Sequence, residues 1–406
     1  MDSLITEAAQ ALAAGDPLAA LNRVALRDDA SALALRGIAM AQLGDFSRAR
    51  VLLKNAARAF GPKEAVARAR CIVADAEIAL ASRDLGKPST RLETARATLL
   101  AHGDRINAIH ARYLDVRYLL LTGHIDAAEA ALVEFDSTTL PPVFKTVHEL
   151  AVAGIAMRRQ QAKASRAALT RAGVAAREAR IPALVAEVET ALRRLESPVA
   201  RLLADGEDRP VLLDAVEALL ASNTLIIDAC RMTVRRKDQT ISLTTRPILF
   251  TLARALAEAW PEDAPRDALA VRAFRLKTVD EPLRARLRVE IGRLRAKLGA
   301  LANITATSRG FMIEPNDMSD VAVLAQPVED KHANLLALLA DGEVWSSASI
   351  ALALGMSQRT VQRALDTLAA ADKVQFFGRG RARRWLSPPL PGFATTLLLP
   401  NALPGH

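Results

Sequence analysis

Apolar residues recur every three or four positions through the first 200 residues, and short polar turns interrupt them. Alanine and leucine supply most of these positions, a spacing that places them on one face of successive helices. The turns fall at Gly15-Asp16, Gly44-Asp45, Leu85-Gly86, Gly123-His124 and Gln160-Gln161. They are 29, 41, 38 and 37 residues apart, close to the period of about 34 residues in helical-hairpin repeats. The pattern predicts an array of helical hairpins over residues 1–205.

Residues 36–56 form the clearest copy of this unit. Small residues at Gly37, Ala49 and Ala56 would let two helices approach closely, and Leu53 would fill the space between them. The copy resembles a tetratricopeptide hairpin, and a second runs from Leu119 to Phe135. A generic antiparallel helical bundle is the alternative. In either case the segment is expected to oligomerise or to receive a protein or small-ligand signal, because such repeats bury a core only by stacking.

The pattern changes at Leu225, where short β-branched runs predict a small antiparallel sheet. Helical periodicity then returns as far as Leu298, and a final β pattern covers residues 304–313. Strands followed by three helices and a β-hairpin are the order of elements in a winged helix. The sequence therefore predicts a winged-helix domain over residues 222–315.

One predicted helix of this domain carries both an apolar stripe and several arginines. Its apolar positions recur at intervals of 4, 4, 3 and 4 and are Leu283, Leu287, Ile291, Leu294 and Leu298. Most of its arginines lie off that stripe. A helix with one buried face and exposed arginines fits the major groove of DNA, which is about 12 Å wide.

The same residues resemble the output domain of OmpR/PhoB-type response regulators over about 90 residues. Residues 287–298 are similar to the family's recognition helix, including its Arg-Leu-Arg-x-Lys-Leu ending, and residues 304–313 are similar to its wing. Residues 241–253 are similar to the segment that leads into the family's first helix, and residues 266–269 are similar to the start of its second helix. The resemblance implies DNA binding. Since helical repeats stand where the family has its receiver domain, it does not imply control by a phosphorelay.

Five arginines of this domain are candidate DNA contacts: Arg284, Arg288, Arg293, Arg295 and Arg309. Arg288 is the leading base-contact candidate, because arginine reads guanine bidentately. Arg293 and Arg295 are expected to contact phosphates. Arg309, at the tip of the wing, is expected to enter the minor groove. Alternatively, the helix arginines form a solvated face with nearby glutamates. Gly292 lies inside this helix, where glycine is less stable than alanine by about 1 kcal/mol. Close approach of a backbone to the helix would explain why a glycine stands there.

A second helix-turn-helix pattern follows at residues 347–365. Ala351 is small where the helices would cross, Gly355 takes the turn and Ser357 caps the next helix. That helix directs Val361, Leu365 and Leu368 inward. Its outward residues include glutamine and arginine, the side chains suited to adenine and guanine edges.

A basic hairpin completes this second unit, with strands at 374–377 and 383–386 and a glycine-rich tip between them. The unit resembles winged helix-turn-helix domains of bacterial transcriptional regulators; a wing that contacts protein is the alternative. With the tail it is assigned to residues 331–400. The predicted DNA contacts are Ser357, Gln358, Arg359, Gln362, Arg363, Arg379, Arg381 and Arg383.

Positive charge concentrates in these two units. The whole chain has 54 basic and 45 acidic residues, a net charge of +9. Residues 222–315 hold 17 basic and 10 acidic side chains, and residues 331–386 hold 8 and 4. This distribution favours a polyanion partner. Between the units, residues 316–330 hold four acids and no base, which predicts an acidic linker.

Sequence signals for catalysis, cofactors and membranes are missing. The two cysteines, Cys71 and Cys230, form no CxxC or CxxH pair, which argues against a disulfide framework or a structural zinc site. There is no phosphate-binding glycine loop and no HExxH motif, and the six histidines lack metal-ligand spacing. No apolar run reaches the roughly 18–20 residues of a membrane span. We expect no enzyme activity, no cofactor, no metal, no membrane contact and a reducing cytoplasm.

Together these patterns predict a mainly α protein, with a helical-hairpin array followed by two small α+β winged-helix domains. The function expected is sequence-specific binding of double-stranded DNA by a transcriptional regulator that forms a homodimer. Two other classes stay open: a helical-repeat scaffold that binds proteins, and a non-specific architectural DNA binder.

Overall fold

The computed structural model confirms a mainly helical fold with smaller sheets. It describes residues 2–82, 90–133, 140–274, 280–326, 332–339, 344–371, 373–378 and 383–386. The chain divides into two compact units. The first comprises Met1–Arg159, Ala164–Arg194 and Asn334–His406, and the second comprises Gln160–Lys163 and Leu195–Ala333.

The described part of the N-terminal region consists of helices connected by turns. They are α1 (Ser3–Ala13), α2 (Pro17–Val24), α3 (Ala30–Gln42), α4 (Phe46–Ala59), α5 (Ala65–Ala81), α6 (Thr90–Ala101), α7 (Arg105–Leu121), α8 (Ile125–Val133), α9 (Pro142–Arg158), α10 (Ala162–Ala179) and α11 (Pro182–Leu195). Gly15, Gly44 and Gly123 end α1, α3 and α7 with positive φ angles of 78°, 86° and 80°. Gln160 also has a positive φ angle, 60°, between α9 and α10, so four of the predicted hairpin turns are confirmed. The one at Leu85-Gly86 lies outside the described residues.

The hairpin of α3 and α4 is closely packed at the predicted position. A Cβ atom on Gly37 would lie 2.9 Å from Leu53 Cγ and 3.1 Å from the Ala49 carbonyl oxygen. Ala49, Leu53 and Ala56 are all buried. Consecutive hairpins share their cores, because one buried cluster draws on α1 to α5 and another on α7 to α11. The predicted helical-hairpin array is therefore confirmed.

The second unit contains two sheets and four helices among its described residues. Its elements are β1 (Ala200–Ala204), β2 (Glu207–Val211), α12 (Leu213–Ala221), β3 (Leu225–Asp228), β4 (Thr233–Arg236), β5 (Gln239–Ser242), α13 (Pro247–Ala259), β6 (Ala264–Pro265), α14 (Arg266–Phe274), α15 (Glu281–Leu298), β7 (Ala302–Ala306), β8 (Gly310–Pro315) and β9 (Val321–Ala325). The larger sheet has the order β2-β1-β9-β3-β4-β5, and the smaller has the order β6-β8-β7.

The strand β9 lies inside the segment that was predicted to be an acidic linker, residues 316–330. It runs parallel to β3, with Ile227 opposite Val323, and antiparallel to β1, with Leu202 opposite Leu324. All five of its side chains are buried. The linker prediction is wrong for these residues, because the acidic residues flank an apolar run long enough to form a strand.

The position of β9 also moves the domain boundaries. Since β9 pairs with β1, the sheet includes residues 200–211, which had been divided between a helical domain ending at 205 and a gap before 222. Both predicted boundaries are wrong. The helices α13, α14 and α15 and the β7–β8 hairpin share one buried core with this sheet. The predicted first winged helix is therefore packed on a larger sheet than expected.

The C-terminal elements belong to the first unit. They are α16 (Ala333–Leu339), α17 (Ser347–Leu354), α18 (Gln358–Ala370), β10 (Gln375–Phe377) and β11 (Arg384–Leu386). Backbone groups of Trp345 and Trp385 exchange two hydrogen bonds of 2.8 Å, adding a short third strand position to the β10–β11 hairpin. Three helices and this hairpin follow the order of elements predicted for a second winged helix, and that name is kept for the unit below.

This second winged helix shares a buried core with the hairpin array. A single cluster contains Val73, Leu80 and Leu99 from α5 and α6 and also the two tryptophans Trp345 and Trp385. The prediction of a separate C-terminal domain over 331–400 is therefore wrong, because its apolar residues complete the core of the helical repeats. Among the described helices, none has the length and apolarity needed to cross a lipid bilayer.

Candidate nucleic-acid interface

The helix α15 is fixed by its cap and its apolar stripe. The Asp280 carboxylate accepts a hydrogen bond of 3.0 Å from the backbone N–H of Leu283, which satisfies a free donor at the helix start. Leu287, Ile291 and Leu294 are at most 1% exposed and face the core. The predicted stripe is therefore confirmed from Leu287 to Leu298, while Leu283 in the first turn is half-buried. The stripe directs the opposite face of α15 to solvent.

The wing beside α15 is the β7–β8 hairpin. Arg266 donates hydrogen bonds of 2.8 Å and 2.7 Å to the carbonyl oxygens of Ser308 and Thr307 at the hairpin turn. A Cβ atom on Gly310 would lie 1.8 Å from the Ala264 carbonyl oxygen, so only glycine fits where β6 meets β8. These contacts hold the wing tip in place. Nothing in the sequence pattern singles out Arg266 as this support.

Three candidate arginines on α15 form ion pairs at the surface. Arg284 meets the Asp267 carboxylate with two contacts of 3.1 Å, Arg293 lies 2.7 Å from Glu290, and Arg288 pairs with Glu281. The side chains of Arg288 and Arg293 are 63% and 61% exposed. The Glu281 side chain is 67% exposed as well, and an ion pair this exposed contributes about 0–1 kcal/mol, so a phosphate group can displace Glu281 at little cost. The Glu290 side chain is only 11% exposed, so Arg293 is held more firmly than Arg288.

Arg295 is held differently. Its Nε and Nη2 atoms both donate to the Ile304 carbonyl oxygen, at 2.9 Å and 2.6 Å. Charge-assisted hydrogen bonds of this kind are stronger than neutral ones. The structure places Arg295 as a tether between α15 and β7, which positions the wing relative to the helix.

Arg309 stands at the wing tip, as the sequence predicts. Its side chain is 66% exposed, and its Nε atom lies 3.5 Å from the Asp263 carboxylate. The pair is longer than a hydrogen bond, so it restrains the guanidinium weakly. Arg309 is thus available to a ligand beside the wing.

The outermost face of α15 carries small or apolar side chains, a feature that the sequence-based prediction did not include. Ala285, Val289, Gly292 and Ala296 lie opposite the buried stripe and are exposed. A Cβ atom on Gly292 would have no atom within 4 Å. This face has low relief, with the arginines at its margins, and the spacing of 4, 3 and 4 residues is the sequence signal for it.

The helix α18 begins as predicted, after a glycine turn and a serine cap. Gly355 ends α17 in the left-handed region, with a φ angle of 62°. The Ser357 hydroxyl accepts a 3.2 Å hydrogen bond from the Thr360 backbone N–H and lies 2.7 Å from the Thr360 hydroxyl. Ser357 therefore serves the helix cap, and its contribution to any interface is to position α18.

The exposed face of α18 carries the two arginines of the predicted set that are least engaged. Val361, Leu365 and Leu368 are buried, and Arg359 and Arg363 project from the other side. Within the described part of the chain, neither arginine forms an ion pair or a side-chain hydrogen bond. Two glutamines flank them. Gln358 Nε2 donates a hydrogen bond of 3.3 Å to the Ser347 hydroxyl, and Gln362 Nε2 donates one of 3.1 Å to the Asp366 carboxylate.

The wing of this unit is braced by Arg383. Its guanidinium lies 3.6 Å from the centre of the Phe376 ring and 4.3 Å from that of Trp385. It also lies 3.6 Å from the Asp366 carboxylate on α18. Arg383 is thus a positioning residue between helix and wing. Arg379 and Arg381, the other predicted wing contacts, lie outside the described residues.

Among the described residues, no group of three histidine, cysteine or acidic side chains is placed to hold a metal ion. Burial raises the pKa of the Cys71 thiol to about 12, so it is protonated at neutral pH and is a poor nucleophile there.

Comparisons of this chain with family models, with curated proteins and with solved structures each return no match. The function is therefore inferred from the geometry and charge of the chain itself.

Proposed function

We propose that this chain is a sequence-specific DNA-binding transcriptional regulator that contacts duplex DNA with two winged helices. Each winged helix exposes one face of a helix beside a β-hairpin, and positive charge concentrates in both. A helix and a wing of this kind fit a groove and the adjacent backbone. The resemblances to OmpR/PhoB-type output domains and to bacterial winged helix-turn-helix domains point the same way.

The exposed face of α18 is the observation that carries this proposal. Arg359 and Arg363 are one helical turn apart on α18, with Gln358 and Gln362 beside them. Because the two arginines have no partner to give up among the described residues, binding a base edge or a phosphate costs them no ion pair. Arginine to guanine and glutamine to adenine are the bidentate contacts of the major groove.

The face of α15 supports a second contact with DNA, one that depends less on base sequence. Its arginines must exchange glutamates for phosphates, an exchange that surface ion pairs permit. We infer that α15 and the adjacent wing add affinity mainly through the DNA backbone. The contacts are Arg288 and Arg293 of the helix and Arg309 of the wing. Two binding units in one chain raise overall affinity through effective concentration.

A selection from random duplexes tests the proposal. The full chain, its Arg359→Ala variant and an Arg48→Ala control would each be used to enrich a random pool. Arg48 is an exposed arginine on α4, far from α18 in sequence. We expect a sharp motif for the unchanged chain and the control, and loss or relaxation of positions in the motif for Arg359→Ala. Enrichment without any motif would favour an architectural DNA binder.

A protein-binding scaffold is a second candidate, favoured by one observation. The outermost face of α15 consists of Ala285, Val289, Gly292 and Ala296, and Val289 is 53% exposed. A low, uncharged face of this kind also suits packing against a protein helix. Salt separates the two functions, since binding to several phosphates weakens steeply with added salt, and a scaffold would retain no duplex at all.

A further inference from the structure

A cavity of about 880 Å³ lies within the hairpin array. Residues of α4, α5, α6 and α7 line it, and its apolar wall includes Phe60, Ile72 and Tyr118. Cavities of roughly 300–1,000 Å³ with apolar walls and a few polar groups are typical of small-molecule sites. The volume would hold an organic molecule of moderate size.

Basic side chains dominate the polar part of this lining. Five cations face two carboxyl groups: Arg50, Lys54, Arg58, Arg68 and Arg91 against Asp75 and Asp115. Arg50 and Asp75 neutralise each other, with Nε and Oδ1 2.8 Å apart. The remaining carboxyl is Asp115; burial raises its pKa, and Arg112 and Arg96 oppose that effect. Even with Asp115 ionised, four cations of the lining face this one carboxylate.

The other four cations are available to a ligand. Lys54, Arg58, Arg68 and Arg91 are exposed and form no ion pair or side-chain hydrogen bond within the described ranges. Cations gathered around one concavity repel each other, and the low-dielectric walls focus their field on the space between them. An anion placed there would be attracted by all four.

The cavity wall is continuous with the core of the second winged helix. Leu80, Leu92 and Leu114 line the cavity, and all three belong to the buried cluster that contains Trp345 and Trp385. Packed cores transmit displacement, because their side chains interdigitate with few voids. A ligand against these leucines would thus contact side chains on which the winged helix is packed.

We propose that this cavity binds a small organic anion with an apolar body, and that its occupancy alters the packing of the second winged helix. The charged group would lie among Lys54, Arg58, Arg68 and Arg91, and the apolar body would lie against Ile72 and Leu80. The binding step does not depend on the proposed DNA function. Only the consequence for gene regulation rests on it.

The binding step is tested with 1-anilinonaphthalene-8-sulfonate, a fluorescent aromatic sulfonate, titrated into the full chain. Lys54→Glu with Arg58→Glu reverses two of the cavity cations, and Arg48→Glu on the same helix reverses an exposed arginine outside the cavity. We expect affinity to fall about tenfold or more in the double variant and to be unchanged in the control. Equal affinity in all three proteins would overturn the proposal.

A pair of competitors separates anion binding from simple apolar binding. Octanesulfonate and octyltrimethylammonium have the same chain and opposite charge. We expect the sulfonate to displace the fluorescent probe and the ammonium to leave it in place. Displacement by both to the same extent would show an apolar surface without anion selectivity and would contradict the charge assignment.

Hydrogen exchange tests the coupling without any DNA. At saturating probe, we expect exchange in α17 and α18 to change in the unchanged chain and in the Arg48→Glu control, and to stay constant in α13. The double variant should show a smaller change at the same probe concentration, in proportion to its lower occupancy. Tight probe binding with unaltered exchange in α17 and α18 would overturn the coupling, whatever the outcome of the DNA experiments.

Discussion

Arginines in the two winged helices fall into two groups according to what their guanidinium groups contact. Arg266, Arg295 and Arg383 bond backbone carbonyls or stack on aromatic rings, and they hold a wing in place. Arg359 and Arg363 project into solvent without an ion pair among the described residues. The sequence could not separate these groups, because the carbonyl of Ile304 and the ring of Phe376 are acceptors that only the folded chain places beside an arginine.

Removing two different arginines of α15 should lower the stability of the fold by different amounts. Arg295→Ala removes two hydrogen bonds to the Ile304 carbonyl oxygen, and bonds from a charged donor contribute about 1.5–3 kcal/mol. Arg288→Ala removes one ion pair, to Glu281, in which both side chains are exposed, and such a pair is worth about 0–1 kcal/mol. We expect the midpoint of urea unfolding to fall clearly for Arg295→Ala and little for Arg288→Ala. Equal shifts would contradict the tether.

The stability of the hairpin array should fall with acid through His148. Burial lowers the pKa of His148 below its ordinary value of 6.5, and its Nδ1 lies 3.1 Å from the Tyr113 hydroxyl. The unfolded chain then takes up a proton before the folded one, so stability is lost as the pH falls below about 6.5. His148→Gln keeps a hydrogen-bonding group and removes the titration.

Melting temperatures measured from about pH 8 to about pH 5 check this linkage. We expect the decline below neutral pH to be smaller in His148→Gln than in the unchanged chain. The nearby charges are Glu149 and Arg171, whose effects on the pKa of His148 oppose each other. Parallel curves for the two proteins would show that His148 carries no share of the acid sensitivity.

At the scale of elements, local patterns were sufficient for the helices and insufficient for the central strand. Each hairpin turn has a signal within a few residues, such as Gly44 before the α4 cap Asp45. The strand β9 has its partners β1 and β3 about 120 and 100 residues away in sequence. Its five apolar residues are therefore ambiguous until the sheet assembles, and the acids on either side favoured the wrong interpretation.

Two glycines in helices should give opposite results for the same substitution. Gly37→Ala places a methyl group 2.9 Å from Leu53 Cγ and 3.1 Å from the Ala49 carbonyl oxygen, and overpacking of this kind costs about 1–3 kcal/mol. Gly292→Ala meets no atom within 4 Å and gains helix propensity of about 1 kcal/mol. We expect thermal unfolding to shift down for the first and up for the second. A loss of stability in Gly292→Ala would contradict the open face of α15.

The whole molecule is organised as two compact units that do not follow the order of the sequence. The second winged helix, at the C-terminal end, packs into the core of the N-terminal repeats, and the first winged helix stands on a sheet of its own. Composition and periodicity correctly predicted a mainly helical fold with smaller α+β parts. They carry no information on which apolar faces meet, because any two such faces bury area with similar gain.

The shared core predicts that damage to the second winged helix reaches the repeats. Trp345 is 1% exposed, and truncation of a buried aromatic residue costs about 3–5 kcal/mol. In Trp345→Ala we expect faster hydrogen exchange in α5, α6 and α7 as well as in α17 and α18. Exchange in α13 and α15, which belong to the other unit, should be unchanged. Faster exchange confined to α17 and α18 would contradict a shared core.

The proposed contact of α18 with DNA through Arg359 and Arg363 is tested most directly by the salt dependence of DNA affinity. Dissociation constants for a selected duplex would be measured over a range of salt for the full chain, for Arg359→Ala with Arg363→Ala, and for the Arg48→Ala control. We predict a steep slope for the chain and the control. The double variant should bind more weakly by about 1–3 kcal/mol for each base that an arginine no longer reads, or show a slope lower by about 0.9 for each phosphate that is no longer neutralised. Identical affinities and slopes in all three proteins, or no retained duplex, would contradict the claim.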